Sequence, residues 1–418
     1  MYALVDAVSF YASAEKVFDP SIRNKPVVVL TNNDGCICAV CPIARKLGIP
    51  KFEPYFKIKW FLEKHGVVVR SSNYELYVDL SERMMNVIAR YCDNQHIYSI
   101  DESFLLFKNY NGLIKDWHKY GHEIRRAIWK ETKLPVGVGF GITPTLAKAA
   151  NHAAKKLSGY NGVAVIDNIH NGKIILEKMT VSDVWGVGRK IAQRLNQQGI
   201  LTAYQLSTQD PKAMRKEFSV VTERTINELN GINCLSWDDI KEPKREIFST
   251  RSFGQRIVDI HTLQSALSTH GAIVTKKVRQ QSSLIKKLMV FASSSPHDDN
   301  YYKHAMVYHF PVATDNSCDI AKAISIVLAD IFVVGVRFYR CGVGAIELES
   351  REFQQPDLFI PDNSNPVLMK CFDTINNRYG QGTLKLGSEG QTDTWQMKRG
   401  FLSPQFTTNW KDIPKISC

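Results

Sequence analysis

Asp101 and Glu102 are adjacent in the stretch YSIDES (98–103), just before an apolar FLLF, and Asp6 interrupts the apolar opening YALVDAV. A strand points neighbouring side chains to opposite faces, so two adjacent acids serve one site only where a strand bends or ends in a turn. Something must also cancel their repulsion, and a divalent cation does so. If the strand carrying Asp6 lies beside that turn, three carboxylates converge on a hard, all-oxygen site suited to Mg2+, with no need of His or Cys. Such a triad beside a basic surface is what two-metal phosphoryl transfer requires. The alternative is that Asp6 caps a turn and the Asp-Glu pair is simply solvated. Spacing leaves both readings open.

The elements that must position these acids are legible as apolar runs. Strands are predicted at YALVDAV, PVVVL (26–30), GVVVR (66–70), SFLLF (103–107), PVGVGFGI (135–142) and GVAVI (162–166), with helical patterns from Asn73 and from Gly112 between them. The alternation is not strictly βαβ, which predicts a mixed sheet with helices packed against it in an α+β, multi-domain chain. Gly137, Gly139 and Gly141 leave one strand face bare, so something approaches closely there. No dinucleotide fingerprint and no phosphate loop is present. After Ile166 short helices take over, and WGVGRK places Gly186 and Gly188 between two of them, as in a helix-hairpin-helix whose backbone N–H groups meet a DNA phosphate. A plain glycine cap is the competing reading.

Past the charged linker KEPKRE (241–246), a further α/β unit of about 100 residues is predicted. It holds STRSFGQRIVDI, a long helix carrying Lys276, Lys277, Arg279, Lys286 and Lys287, and the alternating strands HAMVYHF and RFYRCGVGAIEL. Ile320, Ile324, Val327, Leu328 and Ile331 recur with helical spacing, the mark of a core-facing helix. From Glu352 the chain is Pro- and Asn-rich, a loop with a short helix after it.

The 418 residues are enough for about three domains, and the net charge of +12 favours polyanionic partners. That surplus lies before residue 351. No apolar run reaches the roughly 18 residues of a membrane span. The start lacks a basic leader, so a cytoplasmic protein with its nine cysteines as thiols is expected. Cys36, Cys38 and Cys41 have loosely metal-like spacing but no evident fourth ligand, and are read as packing residues in preference to a zinc site.

Together YSIDES, ALVDAVSFYASAE and GITPTLAKAANHAAKK (141–156) resemble the Y-family of DNA polymerases. NNDGCICA (32–39), RSSNYELYVDLSERM (70–84), GQGTLKLG and TWQMKRGFLSP narrow the resemblance to the UmuC type, over residues 1 to about 410. The resemblance implies a right-hand polymerase with a palm (1–10 and 73–165), small fingers (11–72), a helical thumb (166–240), a little finger (243–350) and a C-terminal extension (351–418). It implies error-prone, template-directed translesion synthesis in SOS mutagenesis by two-metal nucleotidyl transfer. Asp6, Asp101 and Glu102 match the catalytic, metal-binding acids, with the Ala7 carbonyl as a further ligand of two Mg2+ ions. Phe10, Tyr11, Arg45 and Lys155 fall in the nucleotide site: Tyr11 matches the aromatic steric gate that excludes a 2′-hydroxyl, and the two cations hold the triphosphate. Gly186, Gly188 and Arg251 are expected to meet DNA.

Two positions depart from the family pattern: Val8 stands where Asp or Asn is frequent, and Pro42 where a phosphate-binding Tyr is. In the extension, QPDLF (355–359) resembles a sliding-clamp peptide, with Leu358 and Phe359 as apolar anchors and Gln355 beside them. Implied partners are primer–template DNA, deoxynucleoside triphosphates, a UmuD′ dimer, a RecA filament and the sliding clamp, with no membrane. The rival readings are a catalytically silent DNA-binding factor that recruits repair partners, and a metal-dependent nuclease using the same acids.

Overall fold

A computed structural model describes residues 1–110, 112–235, 243–353, 365–390 and 395–413. The clamp-like peptide with Gln355, Leu358 and Phe359 lies outside the described residues. The chain divides into two compact units, Met1–Ile240 with Gly400–Cys418, and Lys241–Arg399.

The first unit opens with β1 (Tyr2–Ala7) and α1 (Phe10–Glu15), followed by β2 (Val27–Leu30), β3 (Ile37–Val40), α2 (Pro42–Lys46), α3 (Tyr55–Lys64) and β4 (Val68–Ser71). Next come α4 (Tyr74–Ala89), β5 (Gln95–Ile97), β6 (Glu102–Leu106), α5 (Trp117–Thr132), β7 (Val136–Gly141), α6 (Pro144–Lys156) and β8 (Val163–Ile166). Five strands form one sheet in the order β5-β6-β1-β7-β8, and β3-β2-β4 form a second, smaller sheet. β1 is central and pairs antiparallel with both β6 and β7. It is buried along its whole length, and a strand covered on both faces reads as an unbroken apolar run. That is why Asp6 stands out in it.

The bare glycine face of β7 is occupied by α6. A Cβ on Gly139 would stand 2.0 Å from the Asn151 backbone nitrogen, and one on Gly141 2.3 Å from that of Ala147. Val138 and Phe140, on the opposite face, join a core with Leu80 and Met84 of α4 and Ile124 and Ile128 of α5. The α5 helix starts at Trp117, not Gly112, because the Asp116 carboxylate accepts from the Lys119 N–H at 2.9 Å and caps it there. Asn73 caps α4 as the sequence predicts. The short strands β3 and β5 were not predicted.

The helical segment after Ile166 comprises α7 (Ile169–Lys178), α8 (Arg189–Gln197), α9 (Ala203–Ser207), α10 (Pro211–Glu217) and α11 (Val220–Leu229), sharing a core with the outer side of α6. Gly186 has φ +89°, the left-handed turn its type permits, and Gly188 is the N-cap of α8 with open space where a Cβ would stand.

The second unit contains β9 (Ile247–Ile257), α12 (Ile260–Gln280), β10 (Ser283–Ser293), β11 (Lys303–Thr314), α13 (Ser317–Ile331), β12 (Phe338–Ser350) and α14 (Pro366–Tyr379). Its antiparallel sheet runs β11-β10-β12-β9. Ile320, Ile324, Val327, Leu328 and Ile331 of α13 are all buried in its core. The long basic helix predicted to carry Lys286 and Lys287 is corrected: α12 stops at Gln280, Ser282 turns with φ +55°, and both lysines lie on β10. The apolar residues flanking them, Leu284, Ile285 and Leu288, are buried on a strand bulged between Ile285 and Lys287, which blurs the two-residue period. Among the described residues no helix is long and apolar enough to cross a membrane.

Candidate active site

The register of β1 against β6 puts Asp6 directly opposite Glu102, and the Ala7 N–H donates to the Asp101 carbonyl at 3.0 Å. The acid that breaks the first apolar strand and the adjacent pair 95 residues later are therefore neighbours. Asp6 also faces Gly137 across β7. Its side chain thus shares the face that α6 covers, and Lys155 reaches it to form an ion pair. From the same helix Lys148 pairs with Glu102, Nζ to Oε2 3.1 Å, and lies over the Tyr98 and Trp185 rings at 4.6 and 5.1 Å. Asp101 sits in the turn and accepts from the Ser99 hydroxyl at 2.7 Å.

Asp6 is 9% exposed, and burial pushes its carboxyl up to about 6 even though Lys155 opposes this; Glu102 and Asp101 add to the rise. The donor set is carboxylate and carbonyl oxygen, the chemistry of a hard divalent cation. Among the described residues no three such groups stand as a closed metal cage; each strand acid is neutralised by a lysine of α6 instead.

The acids open onto a cavity of about 720 Å³ lined by Asp6, Ala7, Phe10, Tyr11, Asp101 and the cations Arg45, Lys46, Lys51, Lys155 and Lys156. Five cations over carboxylates suit a ligand that is itself a polyanion. Arg45 projects from α2 and donates to Ser9 Oγ at 3.3 Å. Phe10 is buried, and Tyr11 is half-buried and stacked on Tyr77, centroids 4.6 Å apart and planes 16° apart. Val8 and Pro42 also line this cavity. Cys38 lines it too, whereas Cys41 caps α2, its sulfur accepting from the Ala44 N–H at 3.4 Å.

The structure thus brings together Asp6, Ala7, Phe10, Tyr11, Arg45, Asp101 and Lys155, with Glu102 beside them. Gly186 and Gly188 lie in the helical segment, and Arg251 is in the second unit, on β9, lining a cavity with His270 and Lys277. Sequence reasoning missed Lys148. Its signal was available: Lys148, Asn151 and Lys155 fall at i, i+3 and i+7, one helical face, and Asn151 donates to the Leu4 and Gly137 carbonyls at 3.0 and 2.8 Å.

Comparison with known proteins decides the family. The impB/mucB/samB family matches residues 5–152, its C-terminal domain matches 244–358, and a domain of unknown function, DUF4113, matches 366–416. Protein UmuC of Salmonella typhimurium is 40% identical, with all of both chains covered. The chain belongs to the UmuC branch of the Y-family DNA polymerases. Protein ImpB of the same organism is 37% identical over 99% of each UmuC-type chain. Among solved structures, a Y-family DNA polymerase chimera superposes with a TM-score of 0.62 at 19% identity, covering 82% of this chain and 98% of that one, which shows the shared fold. As a member of the Y-family, the chain is a DNA-directed DNA polymerase of the error-prone, translesion class.

Proposed function

We propose that the cavity is the nucleotidyl-transfer site of an SOS-mutagenesis polymerase that adds deoxynucleotides to a primer 3′-hydroxyl past damaged template bases. The observation that carries this is the pairing of Asp6 with Glu102, where Asp6 and the neighbouring Asp101 line a cavity also lined by Arg45, Lys46, Lys51, Lys155 and Lys156. Asp6, Asp101, Glu102 and the Ala7 carbonyl would hold two Mg2+ ions, which when bound lower the pKa of the attacking hydroxyl and stabilise the leaving oxygen. The remaining tasks fall to the chain's own residues. Arg45 and Lys155 bind the triphosphate by charge-assisted contacts. The ring of Tyr11, fixed against Tyr77, occupies the space a ribose 2′-hydroxyl needs. Lys148 keeps the Glu102 charge compensated within a partly buried face.

On this reading the five-stranded sheet is the palm, the small sheet the fingers, α7 to α11 the thumb and the second unit's sheet the little finger, with Gly186, Gly188 and Arg251 meeting DNA phosphates. UmuD′, RecA and the sliding clamp, the last through 355–359, are the proposed partners. Primer extension with Asp101→Ala, partners supplied, tests it: synthesis falls by at least about a thousandfold when an acid of such a site is removed. Normal extension by that variant overturns the assignment, and degradation of the primer in place of extension favours a nuclease.

A further inference from the structure

The C-terminal residues 400–413 belong to the first unit and pack against the elements behind its cavity. Phe401 is held to the end of β4: the Ser71 N–H donates to its carbonyl at 3.0 Å, and its own N–H donates to Ser71 Oγ at 2.9 Å. The Gly400 N–H donates to Asp34 Oδ2 at 2.7 Å, and Phe406 stacks on Phe18 with centroids 5.1 Å apart. These contacts carry Ser403 into the interior, where it is 6% exposed.

There the Ser403 hydroxyl is used in both directions. It accepts from Asn73 Nδ2 at 2.9 Å and donates to Glu15 Oε1 at 3.2 Å. Asn73 is the cap of α4, its Oδ1 accepting from the Leu76 N–H, and the first turn of α4 carries Tyr74 and Tyr77. Glu15 ends α1, the helix of Tyr11, and accepts at the same oxygen from the Tyr77 hydroxyl at 2.6 Å. One tail hydroxyl therefore ties together the two helices whose tyrosines stack beneath the cavity: Tyr11 lies flat on Tyr77 and edge-on to Tyr74, centroids 6.1 Å apart.

Glu15 is the weak point of this arrangement. It is 2% exposed, and burial pushes its carboxyl above the usual range while the Tyr77 and Ser403 hydroxyls and Arg70 pull it back. Arg70 Nε stands 3.6 Å from Oε2, and no hydrogen bond reaches that oxygen. A buried carboxylate with so few donors cannot lose one without moving toward Arg70 or taking up a proton. Either change alters its hold on the Tyr77 hydroxyl, and Tyr77 is the surface on which Tyr11 rests.

We propose that Ser403 is a positioning residue for sugar selection, the tail acting through Glu15 and Tyr77 to fix the ring of Tyr11. This rests on Tyr11 as the steric gate of the polymerase reading. A gate works only if its ring is held in place, because a ring free to move by about 1 Å relaxes the exclusion of a hydroxyl. The tail, which falls within the match to a domain of unknown function, thereby acts on the active site from behind its wall.

The test is single-nucleotide extension by the full chain with deoxy- and ribonucleotides, reading the ratio of the two kcat/KM values. Ser403→Ala and Tyr77→Phe, which cut the chain at different links, each lower the discrimination by about threefold or more and do not multiply when combined. Ser403→Thr, which keeps the hydroxyl, restores it. Trp410→Ala removes an exposed ring of the same tail, away from Glu15 and Ser403, and leaves the ratio as it was. Unchanged discrimination in both Ser403→Ala and Tyr77→Phe overturns the inference. So does an equal loss in Trp410→Ala, since the effect is then not specific to the Ser403 hydroxyl. Failure of the wild-type chain, with the proposed partners supplied, to add a deoxynucleotide defeats the polymerase reading, and this inference with it; normal extension with an unmoved ratio defeats this inference alone.

Discussion

Asp6 and His270 are buried titratable groups that the fold treats in opposite ways. Asp6 is given a lysine, and its carboxyl still rises to about 6 because burial outweighs the pairing. His270, 3% exposed under the sheet of the second unit, is given a neutral partner, Ser249 Oγ at 2.8 Å from Nδ1. Burial, followed by Arg251 and Lys277, drives its pKa down from 6.5 to about 4. A base whose folded pKa is depressed favours the fold when neutral, so its share of stability is complete above pH 6.5 and is lost as pH falls through 4. The second unit should therefore lose up to about 3 kcal/mol over that interval from this one ring. Urea unfolding of the intact chain and of His270→Gln at several pH values between these limits checks it. The wild-type stability drops more steeply with acid than the variant's, and equal slopes contradict the assignment.

At the scale of elements, the site is made by one helix lying on one strand. The α6 helix reaches β7 closely enough for Lys148 and Lys155 to meet Glu102 and Asp6 only because β7 presents glycine at every second position. A methyl group at Gly139 collides with backbone, which cannot give way, whereas one at Gly137 meets Lys155 Cγ at 2.6 Å, part of a side chain that can swing. Gly139→Ala is thus expected to cost about 3 kcal/mol or more in a denaturant titration. Gly137→Ala should cost less than about half of that while displacing Lys155, so primer extension falls further than stability does. Comparable losses in both assays for both variants would show that the close approach, and not the lysine, is what matters.

Much of this arrangement is legible in the sequence. The apolar runs became strands, the glycine period announced a close contact, and the isolated acids proved to be neighbours in register. What stayed hidden has physical reasons. β3 and β5 are four and three residues long, too short for a period to show. β10 interrupts its apolar residues with two lysines and a bulge, which imitates the basic end of the helix before it. Ser403 lies 388 positions from Glu15, and nothing local in GFLSP records that partner.

For the whole molecule, the formal charge of +12 has to be reconciled with a proposed active site whose chemistry would depend on acids. Segregation does this: the carboxylates sit on a strand face beneath α6, while Arg45, Lys46, Lys51 and Lys156 stand at the cavity and most remaining cations lie on the surface. Few of those surface cations form ion pairs strong enough to remove them from interaction with a phosphate backbone, since exposed pairs contribute little. Binding of primer–template should then be governed by release of counterions. If about four phosphates are neutralised, the affinity falls by roughly a hundredfold between about 50 and about 200 mM salt, on a log–log slope near −3.5. Fluorescence anisotropy with a labelled hairpin primer–template reads that slope directly. Replacing Arg189 and Lys190 together, exposed at the start of α8 beside Gly188, makes it shallower without shifting the thermal unfolding midpoint, because neither is in the core. A slope near zero would mean that the surplus charge serves solubility, and that DNA is held by contacts of another kind.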